Sequence, residues 1–156
     1  MIINHFKRGI TALELLVVLA VLGIIFAIVI PQFSKIRENQ VLKSATNDVL
    51  SSLNKARVQT LASMDSSSYG VHFQSDKVII FKGIVFSVDD LNNETINIIA
   101  PATISNVTLS GISGNSGDVY FNRLSGSSNQ TGTVTISTSS FSKIITIFTT
   151  GAVSEN

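Results

Sequence analysis

Apolar and polar positions along this chain follow three successive regimes. Over residues 10–30 the side chains are almost all apolar, and no charge interrupts the stretch from Leu15 to Ile30. Those 21 residues make a helix of about 30 Å, enough to cross a bilayer. From residue 33 the pattern becomes amphipathic. Phe33, Ile36, Leu42, Ala45, Val49, Leu53, Ala56 and Leu61 recur at mostly helical spacing, while Lys35, Arg37, Glu38, Lys43, Asp48 and Lys55 occupy much of the other face, predicted to be solvated. One helix is therefore predicted over residues 10–63. After the polar stretch 63–69 the period turns strand-like, with candidates at 69–73, 77–82, 84–88, 95–99, 107–109, 119–121, 133–137 and 143–148. Gly/Ser/Asn-rich stretches at 111–117 and 125–132 read as loops. The expected class is α+β: a long N-terminal helix packed on a β-rich C-terminal head.

Two positions disturb the long helix. Pro31 removes a backbone hydrogen bond and is expected to kink the rod. Glu14 places a carboxylate in an apolar span, where an acid at the bilayer centre costs roughly 2.5–3.5 kcal/mol on insertion scales. Upstream stand Lys7, Arg8 and Gly9, and the next basic residue after them is Lys35, a distribution that places the N-terminus in the cytoplasm. An ordinary secretory signal would need a small-residue cleavage site after the apolar run, yet the run ends Ile28-Val29-Ile30-Pro31-Gln32. A plain signal anchor fits the length but gives Glu14 no purpose.

The segment Lys7-Arg8-Gly9-Ile10-Thr11-Ala12-Leu13-Glu14-Leu15-Leu16-Val17-Val18 resembles the N-terminus of type IV prepilins and type II secretion prepseudopilins, which read Phe-Thr-Leu-Ile-Glu-Leu-Leu-Val-Val after a basic leader ending in Gly. Ile10 stands where an aromatic is usual, and Ala12-Leu13 replace Leu-Ile. The resemblance implies a leader over residues 1–9 cut after Gly9 by a prepilin peptidase, which also methylates the new amino group on Ile10. It implies an inner-membrane helix over 10–30 that later becomes filament core, an amphipathic continuation over 31–63, and an extracytoplasmic head over 64–156. Glu14 then pairs with an N-terminal amine, its own or a neighbour's, during assembly; a buried carboxylate is tolerable when so paired. The implied partners are the peptidase/methyltransferase and other pilin or pseudopilin subunits, in a pilus or pseudopilus. Leu53-Asn54-Lys55-Ala56-Arg57-Val58-Gln59-Thr60-Leu61 leading into Gly70-Val71-His72-Phe73, together with the terminal Gly151, resembles H-type minor pseudopilins and FimT-like minor pilins. Thr60 departs from that pattern, which has Ala.

Charge and chemistry narrow the picture further. The formal net charge is +1, and without Lys7 and Arg8 the remainder carries 9 basic against 10 acidic residues, no footprint for nucleic acid. There is no cysteine, so no disulfide staples the head. His72 is predicted to be a strand residue with no carboxylate or second His at ligand spacing, and no cofactor or enzymatic role is expected. Gly111-Ile112-Ser113-Gly114-Asn115 misplaces its second glycine for a nucleophile elbow. The oxygen-rich stretch 89–94 lacks the alternation of an EF-hand, and no metal is expected there. A structural subunit is thus the leading expectation. A DNA-binding minor pilin for transformation is the alternative, weakened by a tail over 149–156 without Lys or Arg; a major pilin is a further one.

Overall fold

The computed structural model describes residues 10–156, and two compact units divide at Ile36. Helix α1 spans Ala12–Leu61, fifty residues with Pro31 inside and no interruption at it. Its residues up to Arg37 are all exposed, among them sixteen large apolar side chains from Leu13 to Ile36. By length and composition this half of α1 is able to cross a membrane.

The second unit, Arg37–Asn156, is α+β. After α1, a tight turn at Met64–Ser66 with Ser63, Asp65 and Ser66 at positive φ delivers the chain into β1 (Tyr69–Phe73) and β2 (Lys77–Lys82). These are followed by β3 (Glu94–Asn97), β4 (Thr103–Leu109), β5 (Ile112–Gly114), β6 (Gly117–Tyr120), β7 (Gly132–Ser137), β8 (Ser142–Ile147) and β9 (Val153–Glu155). They form two antiparallel sheets, one in the order β3-β2-β1-β6 and one in the order β5-β4-β7-β8-β9. The core joins them: Leu42, Ala45, Val49, Leu53 and Ala56 of α1 cluster with Val71, Phe73, Val78 and Ile80 of the first sheet and with Ile104, Val134, Ile136, Ile145 and Ile147 of the second.

The helix stripe departs from the one predicted by hydropathy. Phe33, Ile36 and Leu61 are exposed, whereas Thr46, Ser52 and Thr60 are buried. Each of these hydroxyls donates to the carbonyl four residues back: Thr46 to Leu42 at 2.8 Å, Ser52 to Asp48 at 2.7 Å and Thr60 to Ala56 at 2.8 Å. A hydroxyl satisfied in this way enters a core without leaving an orphan donor. The polar face is solvated at Lys35, Arg37, Lys43 and Lys55, as predicted, and half-buried only at Glu38 and Asp48. Glu38 accepts from Ser139 at 2.9 Å, and Lys55 reaches Glu94 at 2.6 Å.

Among the strands, 69–73 and 77–82 stand where the alternation puts them. Residues 84–88 do not form a strand. Gly83, at φ +108°, turns the chain, and the connection to β3 folds across the outer face of the first sheet. There Phe86 stacks on His72 with ring centroids 3.9 Å apart and meets Phe81 edge-on at 5.6 Å, so Phe81 is buried outside the main core. Phe81 lies over Gly70, where a Cβ would stand 2.4 Å from its ring. Strand β4 is longer than the predicted 107–109 because a bulge between Ile104 and Asn106 breaks the period of two. Strand β5 was not predicted: Ser110 and Gly111, at φ +50° and +84°, make a two-residue hairpin turn inside an apparent loop. The short β9 also escaped the pattern.

Thr60 ties the two parts of the head together. Besides its bond to Ala56, its hydroxyl accepts the buried Tyr69 backbone N–H at 2.8 Å, joining the end of α1 to the start of β1. Replacing Thr60 by Ala or Val strands that N–H, and either variant is expected to destabilise the head by about 1–3 kcal/mol in thermal unfolding of the detergent-solubilised chain. Equal stability of the Val variant and the parent would remove the bond from the account.

Candidate functional site

Gly9, Lys7 and Arg8 lie outside the described residues, so the site begins at Ile10. Ile10 and Thr11 precede the helix and are exposed. The Thr11 side-chain oxygen accepts the Glu14 backbone N–H at 3.2 Å, and its carbonyl accepts the Leu15 N–H at 3.2 Å. Thr11 is therefore the N-cap, and Thr11-Ala12-Leu13-Glu14 has the Ser/Thr-x-x-Glu spacing of a capping box. This sequence signal was legible but overlooked. It changes the energetic reading of Glu14, which sits in the first turn, where the positive end of the helix dipole favours a carboxylate, rather than at mid-span. Helix initiation is thus one physical use for Glu14 that requires no neighbour. Pro31 lies in the exposed half of the uninterrupted helix.

On the head, the expectation that His72 has no carboxylate partner is overturned. Asp118 faces it across the β1–β6 register, and its carboxylate pairs with Nδ1. The other ring nitrogen, Nε2, stands 3.1 Å from the Gln74 side-chain nitrogen. Donation from Nδ1 to Asp118 and acceptance at Nε2 from Gln74 would satisfy all three groups. Gln74 takes the Nε2 position and Phe86 covers one ring face, so the arrangement anchors the β2–β3 connection. In the stretch 89–94, Asp90 accepts the Asn92 backbone and side-chain N–H groups at 2.9 and 2.8 Å, while Glu94 is held by Lys55. Among the described residues no group of three or more His, Cys, Asp or Glu side chains comes together as a metal site.

Arg57, within the helix-end pattern, binds two loops at once. Its Nε donates to the Gly126 carbonyl and its Nη2 to the Thr150 carbonyl, both at 3.1 Å. The loops meet closely: Gly151, at φ +75°, would place a Cβ 1.9 Å from the Gly126 oxygen and 2.9 Å from Arg57 Nε. A planar guanidinium suits two fixed carbonyls, and a lysine ammonium does not reproduce its fork. At the other side of the helix end, Lys82 reaches Asp65 at 3.0 Å and Tyr69 Oη donates to the same oxygen at 3.3 Å. The Lys82 ammonium, foremost by its hydrogen bond, holds the Asp65 carboxyl below its ordinary value.

Comparison with family models, with curated proteins and with solved structures finds no match to this chain. The reading of the chain accordingly rests on its own residues.

Two outcomes follow from the loop clamp and the turn. Gly151→Ala is expected to destabilise the head by about 2–4 kcal/mol and Arg57→Lys by about 1–2 kcal/mol, read as loss of thermal stability. A depressed Asp65 pKa means the contact stabilises the fold above the ordinary carboxylate value and is lost as pH falls through the folded value. Side-chain NMR should find Asp65 titrating below 3.8, and Lys82→Met should return it toward that value.

Proposed function

We propose that this chain is a structural subunit of a type IV filament system, a minor pilin or pseudopilin of the H/FimT-like kind with a pilin-like fold. In this reading it is made as a membrane prepilin, cut between Gly9 and Ile10, methylated on Ile10 and inserted into a helical assembly. The observation that carries the reading is the division of α1. Its first half exposes a continuous apolar surface on every side, with its one carboxylate, Glu14, in the first turn beside the cleavage point, while its second half is built into a β-rich head. An apolar helix uncovered all round requires lipid or other apolar helices. Cutting after Gly9 puts an α-amino group one turn from Glu14, and a paired carboxylate then costs less inside a helical bundle than an isolated one.

Polyanion binding gains no support from the head. Of its basic side chains, Lys55, Lys82 and Lys143 pair with Glu94, Asp65 and Glu155, and Arg57 is spent on loop carbonyls. Four cations remain, Arg37, Lys43, Lys77 and Arg123, on a head whose nine acids outnumber its eight Lys and Arg residues.

Intact mass and N-terminal sequencing of the protein recovered from host membranes test the proposal. The expected species starts at Ile10 and is one methyl group heavier than its sequence. A chain still starting at Met1 would sink the processing step. Glu14→Gln should leave cleavage intact and reduce incorporation into filaments, whereas Thr11→Ala, which removes only the cap, separates helix initiation from pairing. If Thr11→Ala abolishes incorporation as fully as Glu14→Gln does, the capping role accounts for Glu14.

A further inference from the structure

The first sheet ends on one side at β3, whose outer edge has no strand beside it. Backbone direction along β3 follows from its pairing. Ile98 donates its N–H to Asp76 at 2.8 Å, and antiparallel bonding alternates, so Ile96 and Glu94 turn their backbone groups toward β2 while Thr95 and Asn97 turn theirs outward. Two depressions of about 160 and 190 Å³ follow one another along α1, the first between the helix and β3, the second between the helix and Ile99 just beyond the strand. Asp48 lines both. Apolar side chains contribute Ile80 and Ile96 to one and Val41 and Ile99 to the other, and Ile99 is 64% exposed. The Asp48 carboxylate has no ion-pair partner among the described residues.

From this edge and this groove together we propose that the head accepts an extended segment of another protein as a fifth strand beside β3. The added backbone would bond Thr95 and Asn97. Alternate side chains of the segment would point down into the groove, apolar ones against Ile96 and Ile99 and a Lys or Arg against Asp48. This is strand addition, in which main-chain bonds give affinity and the pockets select side chains. The groove runs beside α1 from Gln40 to Lys55, about 22 Å at helical rise, which matches a strand of about six or seven residues. Charge complementarity sets the chemistry of the occupant: Lys55 and Glu94, which also line the groove, neutralise each other, so Asp48 leaves it one net negative charge that favours an occupant carrying one cation and disfavours an acidic one. The inference stands on the head alone and is independent of how the N-terminal segment is processed.

The test selects binders from a phage-displayed library of random ten-residue peptides on the full chain in detergent micelles. Enriched peptides are then measured by fluorescence anisotropy, and backbone amide exchange is followed with and without peptide. The expected binders alternate apolar and polar residues with a Lys or Arg at an inward position, and they slow exchange at Thr95 and Asn97. Asp48→Lys should weaken them about tenfold or more. Asn97→Pro, which removes an outward N–H at an edge where proline is tolerated, should do the same. Ser44→Trp fills the groove from the exposed helix face without touching the strand, and so remains informative if the proline variant fails to fold. The proposal is overturned if no such peptide is enriched, if binders retain full affinity for Asp48→Lys and Ser44→Trp, or if protection appears elsewhere on the head.

Discussion

The head depends on one stripe of helix. Leu42, Ala45, Val49, Leu53 and Ala56 are the residues of α1 that contact both sheets' inner faces through a single core, and no disulfide adds to what they hold. Small residues alternate with large ones along that stripe, and Thr46, Ser52 and Thr60 extend it by hiding their hydroxyls in the helix's own carbonyls. The chain beyond the helix is then secured at two points near its end. Thr60 receives the first amide of β1, and Arg57 gathers the loops around Gly126 and Gly151, which are remote in sequence. With the end of the helix so committed, the first sheet, the second sheet and the C-terminus all refer back to a few residues between 53 and 60.

Legibility in the sequence followed locality. Strands 69–73 and 77–82 were readable to the residue because a regular alternation flanks a short polar turn, and nothing distant intervenes. The connection 84–88 misled because its composition is strand-like, yet Phe86 spends itself on His72 and Phe81 instead of on a ladder. The bulge in β4 concealed Ile104 by shifting the inward position by one residue. Pairing of His72 with Asp118, 46 residues away, became visible only once β1 and β6 were known to be neighbours. Thr60 looked like a departure from a resembled pattern, and its reason is a hydrogen bond that hydropathy does not score.

At the N-terminus the position was local and readable, but its energetics needed the helix boundary. An acid in an apolar span is costly at the centre of a bilayer, whereas Glu14 lies in the first turn, capped from Thr11. Cost alone therefore does not require a partner for it. What the cap leaves unaddressed is the uncovered apolar surface that follows, from Leu15 onward, which no part of the first unit shields. The two features ask for different things: the carboxylate is favoured locally by the positive end of the helix dipole, and the surface only by a surrounding apolar phase or other helices.

The distribution of charge on the head points the same way as its open edge. Half of its eight Lys and Arg side chains are engaged with nearby acids or carbonyls, and its nine acids outnumber them, so the surface offers little to a polyanion. The unpaired Asp48 lies instead along a groove with isoleucines, beside a strand edge whose amides and carbonyls face outward. Sheets commonly protect such an edge with shortness and charge. Here β3 is four residues long, but Glu94, its charge, is already committed to Lys55. The protection is therefore partial, and the polar groups left over belong to the backbone, where recognition reads shape and alternation more than it reads sequence.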